Sequence, residues 1–158
     1  MTHSATASIE IACSPDIVRA KFLDFSSIPQ YHSTFFLSMT PARSGNLVPG
    51  EKMDVQLVGM GTMEPTILAN APSHFAWRGN IPLVFGGDHT FYFTPSTKTP
   101  GGTTFIQEES LFGALAFLMG HGWVAKKAGD MRAKTERNWD AYNRDFKAWC
   151  EKASTVES

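Results

Sequence analysis

Three polar side chains with chemical capacity, His89, Gln107 and Glu109, lie in a part of the sequence that is otherwise aromatic. An imidazole and a carboxylate can exchange protons near neutral pH, and a carboxylate beside an imidazole can select one tautomer and raise its basicity. A buried polar group must either find a hydrogen-bond partner or meet solvent in a cavity. The residue types therefore allow two interpretations: a proton-transfer pair at a cavity, or a satisfied polar pair that stabilises a sheet.

These side chains belong to residues 74–113, where three segments alternate between two faces. The segments are residues 74–79, 88–95 and 103–111. Period-two alternation predicts half-buried antiparallel strands. The second and third segments place His89 and Glu109 on neighbouring strands, where opposed Cβ atoms are about 5 Å apart. The predicted inward faces carry mostly aromatic residues: Phe75, Trp77, Phe91, Phe93 and Phe105.

The segments before residue 74 predict one helix and further strands. Ser14 is a suitable helix cap, and Pro15 suits the first helical position, so residues 15–25 are predicted to form a helix. A first strand is predicted over residues 8–13, and others over residues 37–41, 51–58 and 62–70. Pro65 indicates a sheet edge or a bulge in the last of these. Residues 30–36 remain ambiguous between a short helix and irregular structure.

A long amphipathic helix is predicted over residues 122–149, because apolar side chains recur there every three or four positions. Such a helix would span roughly 40 Å. Its apolar stripe includes Met131, Trp139, Tyr142, Phe146 and Trp149. A wide aromatic stripe needs a broad apolar partner, and the aromatic face of the predicted sheet is the candidate.

Length and composition indicate one globular domain over residues 1–158, with a loose arm over residues 1–7. The net charge of -1 gives no basic patch for nucleic acid. Cys13 and Cys150 match no metal spacing or disulfide framework, which favours a reducing compartment. No secretory signal is visible, and the longest apolar run, residues 111–119, is too short to span a bilayer. We therefore expect a cytoplasmic protein without stable membrane insertion; the sequence does not indicate its oligomeric state.

Cofactor motifs are not found in the sequence. It contains no glycine-rich dinucleotide fingerprint, no phosphate-binding loop and no nucleophile elbow. The five histidines show no metal-ligand spacing. The sequence therefore predicts a protein that uses neither a metal nor a cofactor.

Several local motifs accompany this order of elements: Ser14-Pro15, Phe75-x-Trp77-Arg78-Gly79, Gly87-x-His89-x-Phe91-x-Phe93, Gly102-Thr103-Thr104-Phe105, Gln107-x-Glu109-x-Leu111-x-Gly113 and the long helix that ends in Trp149. With these motifs, the chain resembles the START-like, helix-grip superfamily, also called SRPBCC. Within it, the chain is similar to the polyketide cyclase/dehydrase and lipid-transport-like branch, over roughly residues 8–152.

The resemblance implies an α+β fold in which a curved antiparallel sheet of about six or seven strands wraps round the C-terminal helix. Two short helices follow the first strand. A cavity between sheet and helix would hold a small, largely hydrophobic molecule. The family often has His and Phe where this chain has Gln107 and Leu111. Since Gln107 cannot titrate, any proton-transfer role passes to His89 or Glu109.

Two polar residues and a set of wall residues complete the predicted site. In this fold Tyr31 and His32 would lie at the cavity mouth, where they could act on a ligand or be ordinary rim residues. The predicted catalytic residues are His89, Glu109, Tyr31 and His32. The predicted substrate-binding residues are Phe75, Trp77, Phe91, Phe93, Phe105, Gln107, Trp139 and Tyr142.

Three functions are consistent with this reading. The first is a cofactor-independent enzyme that cyclises, dehydrates or isomerises a polyketide-like or terpenoid-like intermediate, using the cavity to orient the substrate and exclude water. The second is a non-catalytic carrier or sensor of a hydrophobic ligand or lipid. The third is an interaction protein whose cavity is closed.

Overall fold

A computed structural model describes residues 4–43, 46–81, 85–112 and 122–152. It contains eight strands, three helices and one 3-10 turn in that part of the chain. In chain order these are β1 (Ser4–Ile11), α1 (Pro15–Leu23), the 3-10 turn (Phe25–Ser27), α2 (Ile28–Tyr31), β2 (Phe36–Pro41), β3 (Met53–Leu57), β4 (Gly61–Met63), β5 (Thr66–Ala71), β6 (His74–Ile81), β7 (Phe85–Pro95), β8 (Thr103–Phe112) and α3 (Gly122–Lys152). The predicted α+β fold, with short helices after the first strand and a long C-terminal helix, is confirmed.

The strands form two antiparallel sheets rather than one sheet of six or seven strands. The larger sheet has the order β1-β8-β7-β6-β5, and the smaller has the order β2-β3-β4. A bridge between Lys52 and Thr66 connects them, and Ile67 N–H donates to Glu51 O at 2.8 Å. The predicted strand 62–70 is therefore two strands in two sheets. Pro65 separates them, because it has no N–H to donate to a ladder.

The first strand begins earlier than predicted. Ser4 already pairs with Ser110, and the ladder continues to the Ile11–Thr103 pair. Residues 4–7 are therefore part of the sheet and not of a loose arm; residues 1–3 lie outside the described residues. The alternation of Ala5 and Ala7, both buried, continues the pattern that identified the strand further along.

The edge strand β1 is covered by α3, and two glutamates of the helix accept hydrogen bonds from the backbone of β1 and of Ala12, the residue that follows it. Thr6 N–H donates to Glu136 Oε1 at 3.2 Å, and Ala12 N–H donates to Glu151 Oε1 at 2.9 Å. An uncovered edge strand presents unpaired backbone groups to other chains, so this packing both positions the helix and protects the edge.

The buried aromatic residues described on α3 lie in its C-terminal half. Trp139, Tyr142 and Phe146 are fully or almost fully buried, whereas Met131 is 56% exposed. The prediction that Met131 belongs to the buried stripe was therefore wrong for the described structure. A 3.6-residue period identifies one side of a helix, but it does not show how far the partner extends along that side.

One phenylalanine of α1 fills the space between the sheet and α3. The Phe22 ring lies 4.6 Å from that of Phe91, 5.4 Å from that of Phe93 and 6.2 Å from that of Phe146. It also lies within 6.0 Å of the rings of Phe25, Phe75 and Phe105. This cluster fills the end of the fold at which α1 meets β7 with packed aromatic rings.

Candidate functional site

A buried chain of polar side chains links the sheet to α3. His89 Nε2–H donates to Gln107 Oε1 at 3.1 Å, and Gln107 Nε2 donates to Asn143 Oδ1 at 2.7 Å. The exposed fractions are 6% for His89, 0% for Gln107 and 1% for Asn143. Within the described residues, the amide nitrogen of Asn143 is a buried donor without an acceptor. These contacts give most of the buried polar groups a hydrogen-bond partner, which offsets the free-energy cost of burying them.

The bond to Gln107 determines the tautomer of His89. Since the amide oxygen of Gln107 can only accept, Nε2 carries the proton and Nδ1 keeps its lone pair. Burial lowers the pKa of His89 from 6.5 to about 3, and the hydrogen bond to Gln107 offsets this only in part. The ring lies between aromatic neighbours, 4.3 Å from Phe91 and 4.7 Å from Trp139. His89 is therefore a neutral imidazole near pH 7.

Glu109 is half-buried and lies over a glycine of the neighbouring strand. A Cβ at Gly87 would lie 2.8 Å from Glu109 Oε1, so the missing side chain leaves the space that the carboxylate occupies. Burial raises the pKa of Glu109 from 4.5 to about 6. A carboxyl group that titrates near neutral pH can act as an acid or as a base there.

The alternation predicted that His89 and Glu109 lie on neighbouring strands; in the structure they are direct cross-strand partners on β7 and β8. The hydrogen bond between them that proximity suggested is not found among the described residues. His89 instead bonds to Gln107, which is opposite Phe91 in the register. The diagonal neighbour provides the acceptor because its amide also reaches Asn143 on the helix.

Tyr31 ends α2 and packs against α3. Its ring stacks on Trp149 at 5.3 Å, and its hydroxyl lies 3.1 Å from that of Tyr142. Burial raises the pKa of both tyrosines above the ordinary value of 10. Both hydroxyl groups are therefore neutral donors and acceptors in the physiological range.

His32 is buried rather than exposed at a rim. Phe35 N–H donates to Nε2 at 3.1 Å, and Nδ1–H donates to Asp145 Oδ2 at 2.8 Å. Both ring nitrogens are engaged, and the ring connects the segment after α2 to α3. His32 thus carries its proton on Nδ1, whereas His89 carries its proton on Nε2.

The predicted wall residues are packed core residues in this structure. All eight have exposed fractions of 0–2%: Phe75, Trp77, Phe91, Phe93, Phe105, Gln107, Trp139 and Tyr142. Phe75, Phe93 and Phe105 contact Phe22. Side chains so fully enclosed do not border a space that admits water. Binding by these residues stays a prediction, and it requires ring movement at the Phe22 cluster.

Phe22 and Asn143 were not predicted as site residues from the sequence, and Gly87 was named only as part of a family motif. A signal existed for Asn143, because it lies four positions after Trp139 and so interrupts the apolar stripe with an amide. A signal also existed for Gly87, because a glycine within a strand often marks close approach of another group. The position of Phe22 between sheet and helix depends on tertiary packing, which no local pattern indicates.

Outside this cluster, a surface depression of about 340 Å³ is lined by Ala42, Arg43, Gly50, Glu51 and Lys52, away from Glu109. In the described ranges, His, Cys, Asp and Glu side chains form no group of three that could hold a metal ion. None of the helices in the described part of the chain combines the length and apolar character that crossing a bilayer requires.

Comparison with solved structures shows the same fold in several proteins of low sequence identity. The di-domain aromatase/cyclase StfQ from the steffimycin biosynthetic pathway superposes with a TM-score of 0.72 at 14% identity, covering 98% of this chain and 53% of that one. The chain thus spans about half of that di-domain protein. The Zhui aromatase/cyclase from Streptomyces sp. R1128 has a TM-score of 0.68 at 13% identity, with 96% and 95% covered.

A third solved structure, norcoclaurine synthase from Thalictrum flavum in complex with dopamine and hydroxybenzaldehyde, has a TM-score of 0.68 at 11% identity. The alignment covers 96% of this chain and 88% of that one. A search of curated proteins found no significant match. The family model described as polyketide cyclase/dehydrase and lipid transport matches residues 2–148 of the 158-residue chain. The resemblance seen in the sequence is confirmed, and the chain belongs to the polyketide cyclase/dehydrase and lipid transport family.

Proposed function

We propose that the protein binds a small, largely hydrophobic metabolite between the sheet and α3, and that Glu109 moves a proton on it. The reaction would be a cofactor-independent cyclisation, dehydration or isomerisation of a polyketide-like or terpenoid-like intermediate. The observation that carries the proposal is the half-buried Glu109 carboxyl, whose pKa burial raises to about 6. Acid–base catalysis is most efficient when the pKa of the catalytic group lies near the working pH.

The neighbourhood of Glu109 supports an apolar ligand. A Cβ at Gly87 would meet both the carboxyl of Glu109 and the side chain of Leu111, and the strand partner of Glu109 is His89. Trp77 and Phe91 lie next to the His89 ring and continue the aromatic groups toward the core. A carboxyl beside apolar side chains and aromatic rings suits a largely hydrophobic molecule, and a few polar groups would then set its orientation.

The other polar residues receive supporting roles in this proposal. His89 remains neutral and accepts a hydrogen bond from the ligand through Nδ1. Tyr31 and His32 hold α2 against α3, through Tyr142 and Asp145 respectively. The aromatic core residues provide the rigid support for the sheet surface rather than the contact surface for the ligand.

A non-catalytic carrier is the second candidate. The family description includes lipid transport, and a neutral histidine with a half-buried carboxyl can anchor the polar end of a ligand without changing it. The two candidates differ in one measurable property, which is whether Glu109 removes a proton from a bound molecule.

Proton exchange on a simple ketone distinguishes them without knowledge of the natural substrate. The probe is 2-tetralone in D₂O, whose loss of α-protons is followed by ¹H NMR, with binding measured separately by calorimetry. We expect the wild type to accelerate exchange above the buffer rate, with a rate that rises as pH increases through about 6. Glu109→Gln should bind the ketone but lose the acceleration, because an amide cannot accept the proton.

Glu108→Gln is the matched control, since Glu108 is the adjacent residue on the opposite face of β8. Its acceleration should equal that of the wild type. Binding without acceleration in the wild type would support the carrier. If the wild type binds neither 2-tetralone nor a fatty acid of similar size, both candidate functions are contradicted.

A further inference from the structure

The polar chain from His89 to Asn143 has a consequence for how a ligand is recognised. Gln107 contributes both ends of its amide: its oxygen accepts from His89, and its nitrogen donates to Asn143. Rotation of the Gln107 amide would turn a donor toward the Nε2–H of His89 and lose both bonds. With its Oδ1 turned toward Gln107, Asn143 accepts from the amide nitrogen and leaves the amide oxygen of Gln107 to His89, which places the proton of His89 on Nε2.

The helix can approach closely enough to make this chain because β1 carries small side chains beneath it. Ala7 is the register partner of Gln107, and both Ala5 and Ala7 are buried. Glu136 and Glu151 of α3, on either side of Asn143, accept hydrogen bonds from the backbone of β1 and of Ala12. These contacts hold the helix at a defined position on the sheet, so the Asn143 amide is presented to Gln107 by the fold.

The remaining nitrogen of His89, Nδ1, makes no hydrogen bond within the described residues. Its strand partner is Glu109, the half-buried carboxyl over Gly87. The imidazole nitrogen is an acceptor, and so is the carboxylate once ionised. Among the described residues, the nearby cation Arg78 is paired with Asp88 through two hydrogen bonds of 2.6 and 2.8 Å and is directed away from this face.

We propose that Gln107 and Asn143 are positioning residues that hold His89 as the Nε2–H tautomer, so that Nδ1 receives a hydroxyl group of an uncharged aromatic ligand beside Glu109. This inference rests on the proposed function, because it places the ligand at the same site. It adds the ligand chemistry, namely a phenol-type hydroxyl that donates a hydrogen bond, and it assigns a role to Asn143.

The first test is the tautomer of His89 in the wild type, read from long-range ¹H–¹⁵N NMR spectra of the imidazole at pH 7. We expect a protonated Nε2 and an unprotonated Nδ1. A protonated Nδ1 would overturn the proposal while leaving the tetralone experiment to decide the proposed function. In Asn143→Leu, the Nε2–H tautomer should lose its dominance, and in Asn138→Leu, the same change elsewhere on α3, it should persist.

The second test compares 2-naphthol with 2-methoxynaphthalene, which has the same rings but lacks the donor. Loss of one hydrogen bond should weaken binding of the ether about five- to tenfold in the wild type. That preference should fall in Asn143→Leu and be retained in Asn138→Leu. Equal affinity of the wild type for the two compounds would overturn the proposal, even if both bind and 2-tetralone exchange is catalysed.

Discussion

The carboxylate of Glu109 lies in the space that a side chain at Gly87 would require. A Cβ at position 87 would be 2.8 Å from Glu109 Oε1 and 3.1 Å from Leu111 Cδ2. Gly87 needs no unusual backbone angle, since it is not among the glycines with positive φ in the described residues. Because Gly87 has no side chain, the carboxylate of Glu109, the candidate catalytic group, can occupy the space above it.

Gly87→Ala should displace the Glu109 carboxyl and abolish most proton transfer to the tetralone probe. The alanine is compatible with the strand backbone, so the fold should persist with a stability loss of about 1–3 kcal/mol from overpacking. The measurement is the exchange rate together with thermal unfolding.

Gly79→Ala is the control for this variant. Among the described residues, a Cβ at Gly79 meets only Met63 Cε, at 3.2 Å, and the end of a methionine side chain can move. Exchange in Gly79→Ala should be near the wild-type rate. Equal exchange rates for Gly87→Ala and the wild type would show that proton exchange does not depend on the position of the Glu109 carboxyl.

Glu109→Gln should make the protein more stable above pH 6. Burial raises the pKa of Glu109 in the folded state to about 6, against 4.5 for the ordinary group, so the folded state favours the protonated carboxyl. The wild type therefore loses stability as pH rises from 4.5 through 6, on the order of 1–2 kcal/mol. Below pH 4.5 the variant should have no such advantage.

Chemical denaturation of wild type and Glu109→Gln at pH 4 and pH 8 measures this difference. Glu108→Gln again serves as the control, and its stability relative to wild type should differ little between the two pH values. A pH-independent difference for Glu109→Gln would show that Glu109 has an ordinary pKa in the folded state.

Phe93→Leu should reduce stability without reducing the affinity for 2-naphthol. Phe93 packs on Phe22 and Phe105 at ring distances of 5.4 and 5.9 Å, in the part of the core remote from Glu109. Loss of ring contacts in a filled core is expected to cost about 1–3 kcal/mol. Urea unfolding and calorimetry provide the two readouts. A marked loss of affinity in the folded variant would instead identify Phe93 as a ligand contact, as the sequence predicted.

His32→Ala should destabilise the fold by about 2–4 kcal/mol, because it removes a buried ring and leaves the Phe35 N–H without its acceptor. Asp145→Asn should cost less than about 1 kcal/mol, since an amide oxygen can still accept from Nδ1–H of His32. Tetralone exchange in Asp145→Asn should match that of the wild type. A large loss of tetralone exchange in Asp145→Asn, with its stability retained, would instead indicate that His32 is a catalytic residue, as the sequence predicted.

The sequence by itself determined the fold class and the placement of the central side chains. Alternation over two segments was enough to predict that His89 and Glu109 lie on neighbouring strands, because a period of two assigns each side chain to one face of a sheet. The register that makes them direct partners is seen in the structure. A period of three to four residues likewise identified α3 and its buried aromatic residues. The sequence also predicted an irregularity at Pro65, either a sheet edge or a bulge, and the structure shows a boundary between two sheets there.

Tertiary structure alone decided which of these side chains touch. The partner of His89 is Gln107 and not Glu109, because Asn143 on a distant helix orients the Gln107 amide. His32 donates a hydrogen bond to Asp145, 113 positions later in the chain. Phe22 packs against Phe91 of the sheet, a contact that the strand patterns do not predict. Contacts between distant segments depend on how helix and sheet pack, and periodicity within each segment contains no information about that packing.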